Sequence, residues 1–412
     1  MALNKRTLLL AAAIAGAGVI VVLFLVQDPG NSAQQLDGAP VLSDKSLRVE
    51  LVAEGLSFPT SMQFLGDDIL VLQKEGQVRL VSQGRLYDEP LLQLDVASEG
   101  EQGLLGIAAW KNSVLLYFTA PDAGELKNRI FDYDYDRDER ALENGTLVMD
   151  LPGEPGPFHN GGKLAIGPDG YLYAVIGDTN AGGGMLDNEV SGREPDDKSV
   201  IFRVDRETGK AAKGNPFYGD EKLTRYYAYG IRNSFGMDFD PVSGRLWMTE
   251  NGPDKYDEIN AVNPGFNSGW HKVTGPIARS NTTLDDLVIY DNATYSDPAF
   301  SWQLPVGVTD IEFFESEKLG AQYENNIFIG DINNGNLYFF TVNGDRTGLQ
   351  LAGPGLADLV ADSIVQDGKL KTEAESVTVG KNFGRITDIE TGPDGLLYIL
   401  AYEDGKIYRV TR

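Results

Sequence analysis

The sequence has no cysteine and only two histidines, His159 and His271, in 412 residues. Without cysteine there are no disulfides, no thiolate-bound metal and no cysteine nucleophile. Positive charge is also scarce: 35 Lys and Arg stand against 61 Asp and Glu, a formal net charge of -26. Such a chain repels phosphate backbones and anionic membrane surfaces, so nucleic acid is excluded as a partner and a neutral or cationic ligand is favoured. What the chain does have is 48 Gly, 19 Pro, 18 Phe and 18 Tyr, a composition of many turns and short antiparallel strands. A hydrophobic content of 42% over this length fills a large core, as two or three domains or as one repetitive architecture.

Residues 8–26, LLLAAAIAGAGVIVVLFLV, form an uncharged apolar run behind Lys5 and Arg6. Its length suits a membrane-spanning helix better than the core of a cleaved signal, though both readings stand. The basic pair precedes the run, which places the folded part outside the cytoplasm. Membrane contact is expected through this segment (1–26) alone. Residues 27–42 read as a linker. Three sequons, at Asn144, Asn281 and Asn292, fit an external location weakly.

From residue 43 to 412 one pattern returns: a hydrophobic strand, a turn often containing Gly, a second strand. It begins at Ser61, Gly106, Lys163, Gly236, Asp310 and Asp388, for example in KLAIGPDGYLYAVIGD and DIETGPDGLLYILAYEDGKIYRV. Each unit carries too little apolar surface to fold alone, and such units close into a ring. The expectation is an all-β fold, a six-bladed β-propeller of four-stranded blades.

A propeller gathers its ligand site on the axis, where loops precede the inner strands. His159 in PFHNGG, Arg232 and Asn233 in YGIRNSFG, and Glu101 in EQGLLG occupy equivalent places in three units. The stretch DYDYDRDERALE, residues 132–143, mimics a calcium loop, but Arg137 replaces the glycine of its turn, and its alternation reads as a strand. NAGGGM, residues 180–185, reads equally as a lid or an ordinary loop.

Taken in order, EQGLLGIA, HNGGKLAIGPDGYLYAVIGD, IFRVDRETGKAAKGNPF, YAYGIRNSFGMDFDPVSGRLWMTENGPDKYDEIN and PGFNSGW resemble the soluble glucose and sorbosone dehydrogenase family over nearly the whole chain after residue 43. The resemblance implies a six-bladed propeller that oxidises an aldose at its anomeric carbon to the lactone with pyrroloquinoline quinone and calcium, passing electrons to an acceptor the sequence does not name. It implies that His159 is the general base and Asp178 the carboxylate that orients it. Arg232 and Asn233 match the pair that contacts the quinone, and the carbonyls of Gly252 and Pro253 match positions that hold calcium. Glu101 and Asp257 match positions near the sugar, each with a structural carboxylate as the competing reading. His271 is expected to be structural.

The chain departs from the family pattern where the quinone's three carboxylates are met. A lysine is expected at Asn333 and an arginine at Thr387; of the three cations only Arg385 is present, and Lys381 or Lys163 would have to substitute. Two classes follow. One is a membrane-tethered, extracytoplasmic quinoprotein sugar dehydrogenase. The other is a propeller that has lost its cofactor and serves as a carbohydrate- or protein-binding module.

Overall fold

A computed structural model describes residues 38–352, 354–366 and 369–412. The apolar run at residues 8–26 and most of the expected linker lie outside the described residues; no helix among the described residues is long and apolar enough to cross a membrane.

The chain forms an all-β propeller. The described residues make six sheets of four to six strands and one two-stranded sheet, Ser363–Gln366 with Lys369–Thr372. The inner strands are Pro59–Leu65, Leu104–Trp110, Leu164–Ile166, Met237–Phe239, Val308–Phe314 and Ile386–Thr391. Each lies beside the next, and the last returns to the first, closing the ring. The last sheet is completed by Arg48–Glu54, which pairs with the C-terminal strand Lys406–Thr411 and so ties the two ends together. The expected linker ends earlier than residue 42: Val41 and Leu42 pair with Lys381 and Gly380, because Leu42 is apolar enough to be buried there.

The GPDG turns behave as their chemistry requires. Gly170 and Gly395 both take left-handed backbone angles, φ 78° and 74°, between paired strands. Asp132 to Asp136 lie in the strand Glu125–Asp136 with Tyr133 and Tyr135 inward, so this segment is a strand and not a calcium loop.

Charged side chains on the inner strands fasten the sheets to one another. Lys163 Nζ lies 2.7 Å from Asp310 and 2.8 Å from Asp388. Asp388 also accepts from Met62 N at 2.6 Å, Asp310 from Ile389 N at 3.1 Å, Asp238 from Phe313 N at 2.7 Å and Glu312 from Thr391 N at 2.7 Å. Burial pushes Asp238 up to about 7 and Glu390 up to about 8, and raises Asp310 and Glu312 as well. Burial alone would lower Lys163, but Asp310, Asp388 and Glu390 hold it above its ordinary value.

This acidic axis has a signed consequence. Carboxyls whose pKa is raised by folding bind more protons in the native than in the unfolded chain, so they stabilise the fold at mildly acid pH and that stability is lost as pH rises. For Asp238 and Glu390 the window runs from the ordinary carboxyl range near 4 to about 7 and 8. The melting temperature is therefore expected to fall between about pH 5.5 and about pH 8.5. Calorimetric scans across that range check this, and a rising Tm would contradict it.

Candidate active site

His159 lies in the loop between the strand Ala141–Pro152 and the inner strand Leu164–Ile166, with a left-handed φ of 61°. That conformation is uncommon for a residue with a side chain and costs energy that the surroundings must offset. Two contacts hold it: the His159 N–H donates to Glu101 Oε2 at 2.7 Å, and Thr179 N donates to the His159 carbonyl at 3.2 Å. Gly177 lets the backbones meet, since a Cβ there would stand 2.3 Å from the Arg232 carbonyl oxygen and 2.6 Å from that of His159. Gly161, at φ 62°, turns the chain into the inner strand where a side chain would strike Val175.

The His159 imidazole meets Asp178 through Nδ1 and Oδ1 at 2.6 Å. Asp178 directly follows Gly177 at the end of the buried strand Leu172–Ile176 and is itself 4% exposed. Burial alone would raise its carboxyl, but the hydrogen bond and charge of His159, the Asn180 N–H and Arg232 bring it below the ordinary value. Asp178 is therefore ionised at neutral pH and can only accept, so the shared proton sits on Nδ1. Nε2 then carries a lone pair on a side chain that is 12% exposed, as a general base requires.

Arg232 and Asn233 follow the strand Tyr226–Tyr229 and stand beside this pair. Arg232 donates its N–H to Glu250 Oε1 at 2.7 Å and Nη1 to the Asn251 carbonyl at 2.9 Å, and its guanidinium lies 5.4 Å from the Trp270 ring centroid. Its Nε is buried and has no hydrogen-bond partner among the described residues. Asn233 donates to Glu101 Oε2 at 2.9 Å and accepts from Gly161 N at 3.2 Å. Glu101 thus ties the His159 loop to the Arg232–Asn233 loop.

The remaining expected site residues fall elsewhere. Asp257 is buried, with Oδ1 accepting from Gly252 N at 3.0 Å and Oδ2 from the N–H groups of Val306, Gly307 and Val308. Both of its oxygens are committed to backbone, so it shapes the 252–256 turn and does not face a sugar. Among the described residues, no three His, Asp or Glu side chains gather around a common metal position. A calcium at Gly252 and Pro253 would rest on backbone carbonyls. Asn333 is exposed beside Gly307. Thr387 spends its hydroxyl on the Pro59 carbonyl at 2.9 Å. Arg385 is half-exposed and donates to Glu403 at 3.1 Å. Lys163 is held in the acidic axis and Lys381 pairs with Glu375 at 2.7 Å, so neither is positioned to replace the missing cations.

Three neighbours escaped sequence reasoning. Glu250, raised by burial to about 8, anchors the Arg232 backbone; Trp270 Nε1 donates to Asp178 Oδ2 at 2.9 Å; and Lys74, half-buried with Nζ on the Ser98 carbonyl at 2.6 Å, has its pKa lowered by burial against the opposing charges of Glu75 and Glu101. Only TENG and SGW, already inside longer motifs, could have pointed to the first two.

The donor set suits a ring carrying electron-rich oxygens at the Arg232 end, where a buried N–H awaits an acceptor. Of the three cations that the family pattern has for an anionic ligand, the chain has only Arg385, which is paired with Glu403.

A model of the family described as Glucose / Sorbosone dehydrogenase matches residues 56–409. The chain is 27% identical over 379 residues to the aldose sugar dehydrogenase YliI of Escherichia coli (strain K12), covering 89% of this chain and 93% of that protein. The crystal structure of the soluble aldose sugar dehydrogenase from Escherichia coli in its apo form superposes with a TM-score of 0.69 at 25% identity, over 89% of this chain and 99% of that one. The PQQ-bound aldose sugar dehydrogenase from Streptomyces coelicolor gives 0.65 at 25% identity, over 90% and 99%.

Proposed function

The chain belongs to the glucose/sorbosone dehydrogenase family, and from that premise we propose that it oxidises the anomeric carbon of an aldose-type sugar to the lactone, with each of the six sheets serving as one blade around the site. The observation that carries this reading is the His159–Asp178 pair at 2.6 Å together with the buried Nε of Arg232, which has no partner among the described residues.

His159 Nε2 takes the proton of the anomeric hydroxyl while Asp178 keeps the proton on Nδ1 and stabilises the imidazolium that forms. The Arg232 guanidinium, held by the Asn251 carbonyl and the Trp270 ring on a backbone anchored by Glu250, stabilises negative charge developing across from the sugar. Glu101 holds both loops in register through His159 N and Asn233 Nδ2. Arg232, Asn233 and Arg385 would hold pyrroloquinoline quinone, which would supply the two-electron acceptor, and the Gly252 and Pro253 carbonyls would hold calcium, which would supply Lewis acidity. With one cation where the family pattern has three, its carboxylates are held less tightly than that pattern provides.

The experiment is a dye-linked assay with a panel of aldoses after reconstitution with the quinone and calcium. Oxidation that needs both supports the reading, and no turnover of any aldose would overturn it. Glu101→Gln is expected to lower kcat/KM by about tenfold, because it weakens two charge-assisted hydrogen bonds; an unchanged value would remove Glu101 from the site.

The folded part is proposed to lie outside the cytoplasm, held by residues 8–26, since Lys5 and Arg6 precede that run. Protease digestion of intact cells tests this: cleavage of the propeller from outside supports it, and full protection contradicts it.

A further inference from the structure

Trp270 touches Asp178 on one side of the site and Arg232 on the other. Its indole Nε1 donates to Asp178 Oδ2 at 2.9 Å, and its ring lies under the Arg232 guanidinium, 5.4 Å from centroid to the central carbon. The indole is itself fastened by backbone. Trp270 N donates to the Gly230 carbonyl at 3.0 Å, and its carbonyl accepts from Asn188 at 2.7 Å. Asn188 is buried and paired with buried Asn267 at 3.0 and 2.7 Å. The strand Phe266–Asn267 in turn runs parallel to Tyr226–Tyr229, the strand that leads to Arg232.

We infer that Trp270 is a positioning residue for the proton-accepting pair: its indole N–H fixes the rotation of the Asp178 carboxylate and thereby the tautomer of His159. The two carboxylate oxygens have separate duties. Oδ1 serves His159 Nδ1 and the Asn180 N–H, and Oδ2 serves Trp270. Without the indole donor, the carboxyl can turn, and Nδ1 loses its fixed acceptor. The other charged or titratable groups facing the pair are Glu101, Arg232, Asp187 and His271. Glu101 bonds the His159 backbone and not its ring, Asp187 accepts His271 N at its carbonyl, and Arg232 reaches Asp178 only through its backbone oxygen and its charge. None of them donates to Oδ2.

The inference depends on the dehydrogenase reading for its kinetic arm alone. Trp270→Phe keeps an aromatic face for Arg232 but removes the donor. With only two histidines, imidazole nitrogen spectra of the ligand-free protein resolve His159 after comparison with His159→Gln. The wild type is expected to show one tautomer with the proton on Nδ1, and Trp270→Phe a mixture of both. In the reconstituted enzyme the same variant is expected to lower kcat by about tenfold with KM within about threefold. In the background of Asp178→Asn it is expected to have little further effect, because both changes act through one carboxylate. A single unchanged tautomer in Trp270→Phe would overturn the inference. So would an effect that adds fully to that of Asp178→Asn.

If Trp270→Phe does not fold, the indole side is read instead: in Asp178→Asn one of the four tryptophan N–H resonances must move, and four unmoved resonances would overturn it. A protein that oxidises no sugar yet shows the tautomer change would end the dehydrogenase reading and leave Trp270's role standing.

Discussion

His159→Gln is expected to lower kcat for sugar oxidation by about 100- to 10,000-fold, the usual contribution of a positioned general base. Glutamine fills much of the same space but has no lone pair on nitrogen. The ionised Asp178, held below its ordinary pKa, makes the Nε2 lone pair of His159 the proton acceptor. The other histidine, His271, packs edge-on against Trp270, and its backbone N–H donates to the Asp187 carbonyl. Steady-state kinetics with the quinone and calcium saturating check the value. A loss below about threefold, with the fold intact by circular dichroism, would take the base away from His159.

Lys163→Met is expected to destabilise the propeller by about 3–5 kcal/mol at neutral pH, because it removes one partner from a buried network and strands the rest. Lys163 is 10% exposed and is the cation shared by Asp310 and Asp388, which belong to different sheets. Methionine fills the volume but leaves those carboxyls facing Glu390 and Asp238 in a region of low dielectric. The loss has a signed pH dependence. Burial has already raised Asp310, so acid protonates it in the folded state and relieves the repulsion. The destabilisation is therefore expected to be larger at about pH 8.5 than at about pH 5.5. Guanidinium unfolding at both values tests it, and midpoints that overlay the wild type would show that Lys163 is not the keystone of the axis.

The repeats made the propeller legible because turn chemistry and strand alternation are local. GPDG at 167–170 and at 392–395 needs a left-handed glycine and has one. His159, Arg232 and Asn233 were candidates for a different reason: they lie in loops that lead into inner strands, and the ring brings such loops to one place; Asp178, after the strand Leu172–Ile176, was pointed to by the family resemblance alone. For Asp257 the sequence left open a place near the sugar or a structural role, because a sequence does not show that four backbone N–H groups from residues 252 and 306–308 bond both its oxygens. The place of Lys163 was hidden for the same reason, since its partners come from strands about 150 and 225 residues away. Trp270 and Glu250 could not be assigned because their roles exist only through contacts with Asp178 and Arg232. Such contacts are set by register between sheets, which no local pattern encodes.

The acidic axis and the cation-poor mouth bear on one question, whether the chain takes its family's anionic cofactor. Calorimetric titration of pyrroloquinoline quinone into the purified protein with calcium present, alongside Arg232→Ala, answers it most directly. The predicted result is saturable binding with a Kd of about micromolar or tighter, weakened by about tenfold or more in the variant. No saturable heat up to about 100 µM quinone, or equal binding by the variant, would contradict the assignment of this site to a quinone.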